Sequence, residues 1–153
     1  MSKHETHLTR RYWETIGGTL IEEFPAVSRT KENAQRLLDG VVILGEKNEI
    51  LKAHEVEIQG KDIVVIQTKA NRLGMNLLGQ AVFSAELMKA HKPKSIKSVA
   101  ICAVGDLVLE PLAHKIGIEV VIYEGESKKL NLLLKRLTIL SFKTTTHKQG
   151  VVF

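Results

Sequence analysis

Two unbroken apolar runs, Ile63-Val64-Val65-Ile66 and Val99-Ala100-Ile101-Cys102-Ala103-Val104, leave this chain few ways to fold. Neither alternates apolar with polar residues, as a strand with one wet face does. Each therefore reads as a buried strand, the second (Ile96–Val104) as a central parallel one. Strands covered on both faces need helices on both sides of their sheet. The chain supplies them. Trp13, Ile16, Leu20 and Phe24 recur at helical spacing from Leu8 to Phe24, where Pro25 stops the helix. Gly17-Gly18 weakens its middle by about 1 kcal/mol per glycine relative to alanine. Leu73–Ala90 reads as a second helix, Asp106–Ile116 as a short third ended by Gly117, and Ser127–Leu140 as a fourth. Leu38–Leu44, Ile50–Ile58 and Lys61–Lys69 read as three strands. The short connections Gly45-Glu46-Lys47-Asn48 and Gln59-Gly60 predict an antiparallel meander. Ile118–Tyr123 is a final strand.

The order helix, three-strand meander, helix, strand, helix, strand, helix predicts one α/β domain spanning 1–153, built on a mixed central sheet with helices on both faces. Residues 1–7 and about 144–153 read as weakly ordered tails. No apolar run reaches the length of a membrane span, and Met1–Arg11 has no apolar secretory core, so the expectation is a cytoplasmic chain with no membrane partner. The single Cys102 allows no intramolecular disulfide, and no zinc-type Cys/His cluster exists. A Gly-x-Gly-x-x-Gly dinucleotide fingerprint is also missing. The formal charge of +5, from 22 basic and 17 acidic residues, favours a polyanionic partner without establishing one.

Two motifs carry chemistry. Asp39-Gly40 opens the apolar run Val41-Val42-Ile43-Leu44, and Gln67-Thr68-Lys69 closes the run Ile63–Ile66. Side chains two apart on a strand point the same way, so Gln67 and Lys69 share a face, and Asp39 can meet them from a neighbouring strand. An acid, an amide oxygen and a lysine at one point can hold a hard cation and activate water against a phosphate. The plain alternatives are a turn-forming Asp before Gly and a solvated strand-end lysine. In the preceding helix Glu23 lies on the side nearer the apolar stripe and Glu22 on the opposite one. Glu23 is either a further acid or a solvated helix-end residue. Gln80 sits between Leu77 and Ala81 on the second helix, where a buried amide needs partners. Asn71 and Arg72 come directly after the lysine motif, either to meet phosphate or as surface loop. Lys92 and Lys94 belong to the densest basic run, Lys89–Lys97, which is either a phosphate contact or a solvated surface.

This pattern resembles the PD-(D/E)xK nuclease superfamily (restriction-endonuclease-like), in a Gln-x-Lys variant similar to that of Mrr-type restriction enzymes. The resemblance covers roughly residues 12 to 123 and implies an α-β-β-β-α-β core. It implies a Mg²⁺- or Mn²⁺-dependent nuclease, with Asp39, Gln67, the Thr68 carbonyl and Glu23 as metal ligands. Lys69 would position the attacking water and offset phosphate charge, with Gln80 assisting. The expected partner is nucleic acid, DNA before RNA, and a homodimer stays open. Gln67 is neutral where the family commonly has a carboxylate, which weakens metal affinity. The second reading is a nuclease-fold module that binds nucleic acid or a protein without cleaving.

Overall fold

The first helix ends where two glycines make its continuation impossible. In the computed structural model, which describes residues 1–125, α1 spans Lys3–Ile16. Gly17 and Gly18 have φ of +70° and +92°. A Cβ on Gly18 would stand 2.3 Å from the Ile43 carbonyl oxygen, so only glycine fits. The Gly17 N–H closes the helix on Trp13 O at 2.8 Å, and the Trp13 indole N–H donates to Gly18 O at 2.7 Å. Beyond the glycines the chain becomes a strand, β1 (Thr19–Val27). The helix expected to run on to Phe24 is therefore corrected. Leu20 and Ile21 are both fully buried, one on each face of the sheet, as a covered strand requires. Pro25 is tolerated because the outer neighbour of β1 covers only Thr19–Ile21.

The N-terminus is also more ordered than its polarity predicts. Ser2 and Glu5 form a reciprocal capping box at the start of α1.

The remaining strands are β2 (Arg36–Ile43), β3 (Glu49–Leu51), β4 (Asp62–Arg72), β5 (Ser95–Val104) and β6 (Ile118–Ile122). They join one sheet in the order β3-β1-β2-β4-β5-β6. The antiparallel meander exists, but its members are β1, β2 and β4. The Ile50–Ile58 run does not supply its middle strand. Only Glu49–Leu51 pairs, parallel to β1 at the sheet edge, before a 3-10 turn at Ala53–Glu55. β4, β5 and β6 run parallel, joined through α2 (Met75–Met88) and α3 (Leu109–Lys115). The Asp106 carboxylate accepts from the Val108 and Leu109 N–H groups at 3.0 Å each and so starts α3.

The result is a mixed α/β sheet covered on both faces. Leu8 and Tyr12 of α1 pack on Leu20, Val42, Val64, Ile66, Val99 and Ile101. On the other face, Met88 of α2 meets Ile21, Val41, Ile63 and Val65, while Leu77, Leu78 and Ala81 meet Ala100, Cys102 and, from α3, Ala113. The expected helix at Ser127–Leu140 and the tail at about 144–153 lie outside the described residues. Among the described residues no helix is long and apolar enough to cross a membrane.

Candidate active site

The strands β2 and β4 pair from Ile43↔Ile63 to Gly40↔Ile66 and then part. Asp39 is the first residue of β2 past that point. Its carboxylate fills the gap and accepts the Thr68 N–H at 2.8 Å through Oδ2, replacing the ladder bond that the parted backbones no longer make. No described residue donates to Oδ1. Asp39 is half-buried, and burial pushes its carboxyl above the ordinary value. The Thr68 N–H pulls it back down, the negative charge of Glu5 pushes it up again, and Lys69 opposes that push.

Glu5 is the acid that α1 brings to this point. Its Oε2 accepts the Ser2 N–H at 2.9 Å, and its Oε1 lies 3.4 Å from Lys69 Nζ. Burial raises its pKa, but the Ser2 hydrogen bonds and the Lys69 charge outweigh burial and hold it below the usual carboxylate range. The Lys69 side chain is about half exposed, so its ammonium has room to leave Glu5. The height of α1 over the sheet is fixed beside the site. Thr9 and Thr68 hydroxyls are bonded at 2.8 Å, both fully buried. A Cβ on Gly40 would stand 3.0 Å from Thr9 Cγ2, so this glycine permits the close approach.

The other expected site residues fall in different places. Glu23 is on β1, exposed, with φ of +50°, and its carboxylate pairs with the Met1 amino group at 3.0 Å. It belongs to no helix, and it spends its charge on the chain terminus instead of on Asp39 or Lys69. Gln67 is 5% exposed and sends its amide to the α2 side, where Nε2 donates to Ser84 Oγ at 2.7 Å. Its Oε1 has no donor among the described residues. Gln80 is exposed, not buried, and faces the same side as Gln67, where both line one cleft. Asn71 and Arg72 lie at the exposed end of β4, past Lys69, with Arg72 Nη1 donating to Gly105 O at 2.7 Å. Lys92 and Lys94 are at the other end of the sheet. Lys94 precedes Ser95, which pairs with Asp62 at the start of β4, and its ammonium is 3.6 Å from Asp62 Oδ2. At about 3.3 Å per residue, the six residues from Asp62 to Thr68 put the basic run roughly 20 Å from Asp39.

Among the described residues no group of three or more His, Cys, Asp or Glu side chains converges as a metal cage. Mg²⁺ does not need one, since it is usually held by one or two carboxylates and keeps several waters. Two neighbouring carboxylates, one with an open oxygen and a raised pKa, fit a small hard cation, which would relieve their mutual repulsion. The sequence carried a signal for Glu5 in Ser2-Lys3-His4-Glu5, a capping-box spacing at a helix start.

No protein-family description matches this chain, and comparison with curated proteins and with solved structures gave no match.

Proposed function

We propose that the chain is a metal-dependent phosphodiesterase acting on nucleic acid, DNA before RNA. One observation carries this reading. Where β2 and β4 part, the Asp39 carboxylate is held by Thr68 with its other oxygen open among the described residues, beside the Glu5 carboxylate and the Lys69 ammonium. The resemblance of Asp39 and Gln67-Thr68-Lys69 to the PD-(D/E)xK superfamily supports it. Asp39, Glu5 and the Thr68 carbonyl would hold Mg²⁺ or Mn²⁺, which when bound polarises a phosphoryl oxygen and lowers the pKa of a coordinated water. The protein's own groups do the rest. Asp39 is immobilised by the Thr68 N–H, so its open oxygen is aimed without further ordering. Glu5 holds Lys69 over the site, and Lys69 turns to the phosphate as negative charge develops there.

Cleavage assays on single- and double-stranded DNA and RNA, with Mg²⁺ and with Mn²⁺, test the reading. Lys69→Ala is expected to lower turnover by about 10²-fold or more, the usual loss for a group that stabilises developing charge, while affinity for nucleic acid changes little. A wild type that cuts none of these substrates with either metal overturns the proposal.

The Gln67 amide favours one second reading. It is neutral and already engaged by Ser84, so the site has one charge fewer than two acids plus Asp39 would give. In that reading the chain binds nucleic acid without cutting it, and Lys69→Ala changes nothing.

A further inference from the structure

On the α2 side of the sheet, between α2 and the segment Asn33–Leu38, lies an open cleft of about 660 Å³. Its size is that of a small-molecule site, and its lining is unusual for this chain. Phe83 is one of only four phenylalanines and stands 71% exposed on α2. Leu37 on β2, also lining the cleft, is 49% exposed. Both therefore leave apolar surface in water around one hollow. Gln80 lies one helical turn before Phe83 and on the same side of α2. Arg36 at the start of β2 and Gln35 just before it line the opposite wall, and none of these three side chains has a hydrogen-bond partner among the described residues. At the floor, the nearly buried Gln67 spends its Nε2 on Ser84 and keeps Oε1 open.

We propose that this cleft takes the base of an unpaired nucleotide whose backbone passes the Asp39 site. A flat aromatic ring stacks on Phe83 and Leu37. Carboxamides offer a donor and an acceptor together, which is the pattern of a nucleobase edge. Arg36 supplies charge for a flanking phosphate. The cleft lies on the α2 side of the sheet, and the Thr9–Thr68 and Glu5–Lys69 contacts of the site lie on the α1 side, so the two meet through the gap where β2 and β4 part. Leu38 and Gln67 line the cleft, and the next residue of each strand, Asp39 and Thr68, makes the site. A base still paired in a duplex must be unstacked before it can enter, so the cleft selects gapped, looped or single-stranded substrate. This inference rests on the nucleic-acid reading above and goes beyond it by naming the substrate class.

The test is fluorescence anisotropy with two labelled DNAs, a full duplex and the same duplex carrying an unpaired thymidine stretch, together with cleavage assays on both. The wild type is expected to bind the gapped DNA about ten-fold more tightly, the scale of one base stacked on an aromatic side chain. Phe83→Ala, at an exposed position that costs the core nothing, is expected to remove this preference and leave duplex affinity unchanged. Gln80→Ala is expected to reduce it. Equal binding of the two DNAs, or a preference that survives Phe83→Ala, overturns the cleft while leaving any observed cleavage to support the nuclease reading. A preference lost with Phe83→Ala in a protein that cuts nothing supports the cleft and overturns the nuclease reading. Binding to neither DNA overturns both.

Discussion

Asp39 is held at a cost to stability, and that cost can be measured. Its folded pKa lies above the ordinary aspartate value of about 3.9, because burial and Glu5 together outweigh the Thr68 N–H and Lys69. A carboxyl whose pKa rises on folding binds more protons in the native state. Stability contributed by its neutral form is therefore present below the unfolded value and lost as pH rises through the folded one. Asp39→Asn keeps an oxygen to accept the Thr68 N–H and removes the charge. It is expected to stabilise the protein at pH 7 by about 0.5–2 kcal/mol, as substitutions at functional positions commonly do, and to abolish cleavage. The gain should shrink to nothing as pH falls toward the unfolded value. Denaturant unfolding at a series of pH values measures it, and a variant less stable than the wild type at pH 7 contradicts this account of the carboxylate. Asp39 is legible in the sequence as a candidate because Asp39-Gly40 leads straight into four apolar residues, which places the acid at the mouth of a buried strand. Glu5 is not, because the polar stretch at residues 1–7 gives no apolar periodicity, and only the capping-box spacing marks it as helical. Gln67 lies on the strand its sequence context predicts, but face alternation alone does not reveal that Ser84 of α2 is there to receive its amide.

Among the elements, the approach of α1 to the sheet decides whether two acids share one site. Gly40 sets that approach, since a Cβ there would meet Thr9 Cγ2 at 3.0 Å and Leu20 Cδ1 at 3.4 Å. Gly40→Ala is expected to push α1 outward and cost about 1–3 kcal/mol, as overpacking does. It should reduce cleavage far more than this loss of stability explains, because Glu5 moves away from Asp39 and from the Lys69 ammonium that it holds. Comparing turnover with the unfolding free energy of the variant checks this, and wild-type turnover would show that the height of α1 is immaterial. The boundary between α1 and β1 is hidden from periodicity for a physical reason. Leu20 and Phe24 are four apart, a spacing that fits a helical turn, but in β1 they lie on opposite faces of the sheet, on either side of Glu23 with its φ of +50°, so the helical spacing here is a coincidence that periodicity cannot expose. The choice is made by Gly18, whose conformation and contact with Ile43 O end the helix. The buried strands β4 and β5 are legible because runs without alternation have few other uses. The short β3 is not, since Glu49–Leu51 gains its place only by parallel pairing with a strand far away in sequence.

Across the fold as a unit, the net charge of +5 is not spread in a way that makes every lysine a nucleic-acid contact. Lys92 and Lys94 are at the end of the sheet where β4 begins, and Lys94 is already beside Asp62. Arg72 is at the end where β4 leaves the site. Arg72→Ala is expected to weaken DNA binding and reduce the slope of log affinity against log salt by about one unit, the loss of one phosphate contact. Lys92→Ala and Lys94→Ala should leave that slope unchanged. Binding measured across a salt series decides, and a reduced slope for the lysine variants would mean that the far end of the sheet also meets the polyanion. The basic run is conspicuous in the sequence because of its density, but its distance from the site is set by the parallel pairing of β4 with β5, which no local pattern reveals.

The nuclease reading stands or falls on whether Asp39, with Glu5 and Lys69 around it, forms one divalent-cation site at the parting of β2 and β4. Calorimetric titration with Mn²⁺ tests this without depending on the choice of substrate. The wild type is expected to bind Mn²⁺ at the Asp39 site. Asp39→Asn should lose that binding and Glu5→Gln should clearly weaken it, while Phe83→Ala and Lys94→Ala leave it unchanged. A wild type that binds no Mn²⁺, or an Asp39→Asn variant that binds it as well as the wild type, would contradict a cation site built on this carboxylate.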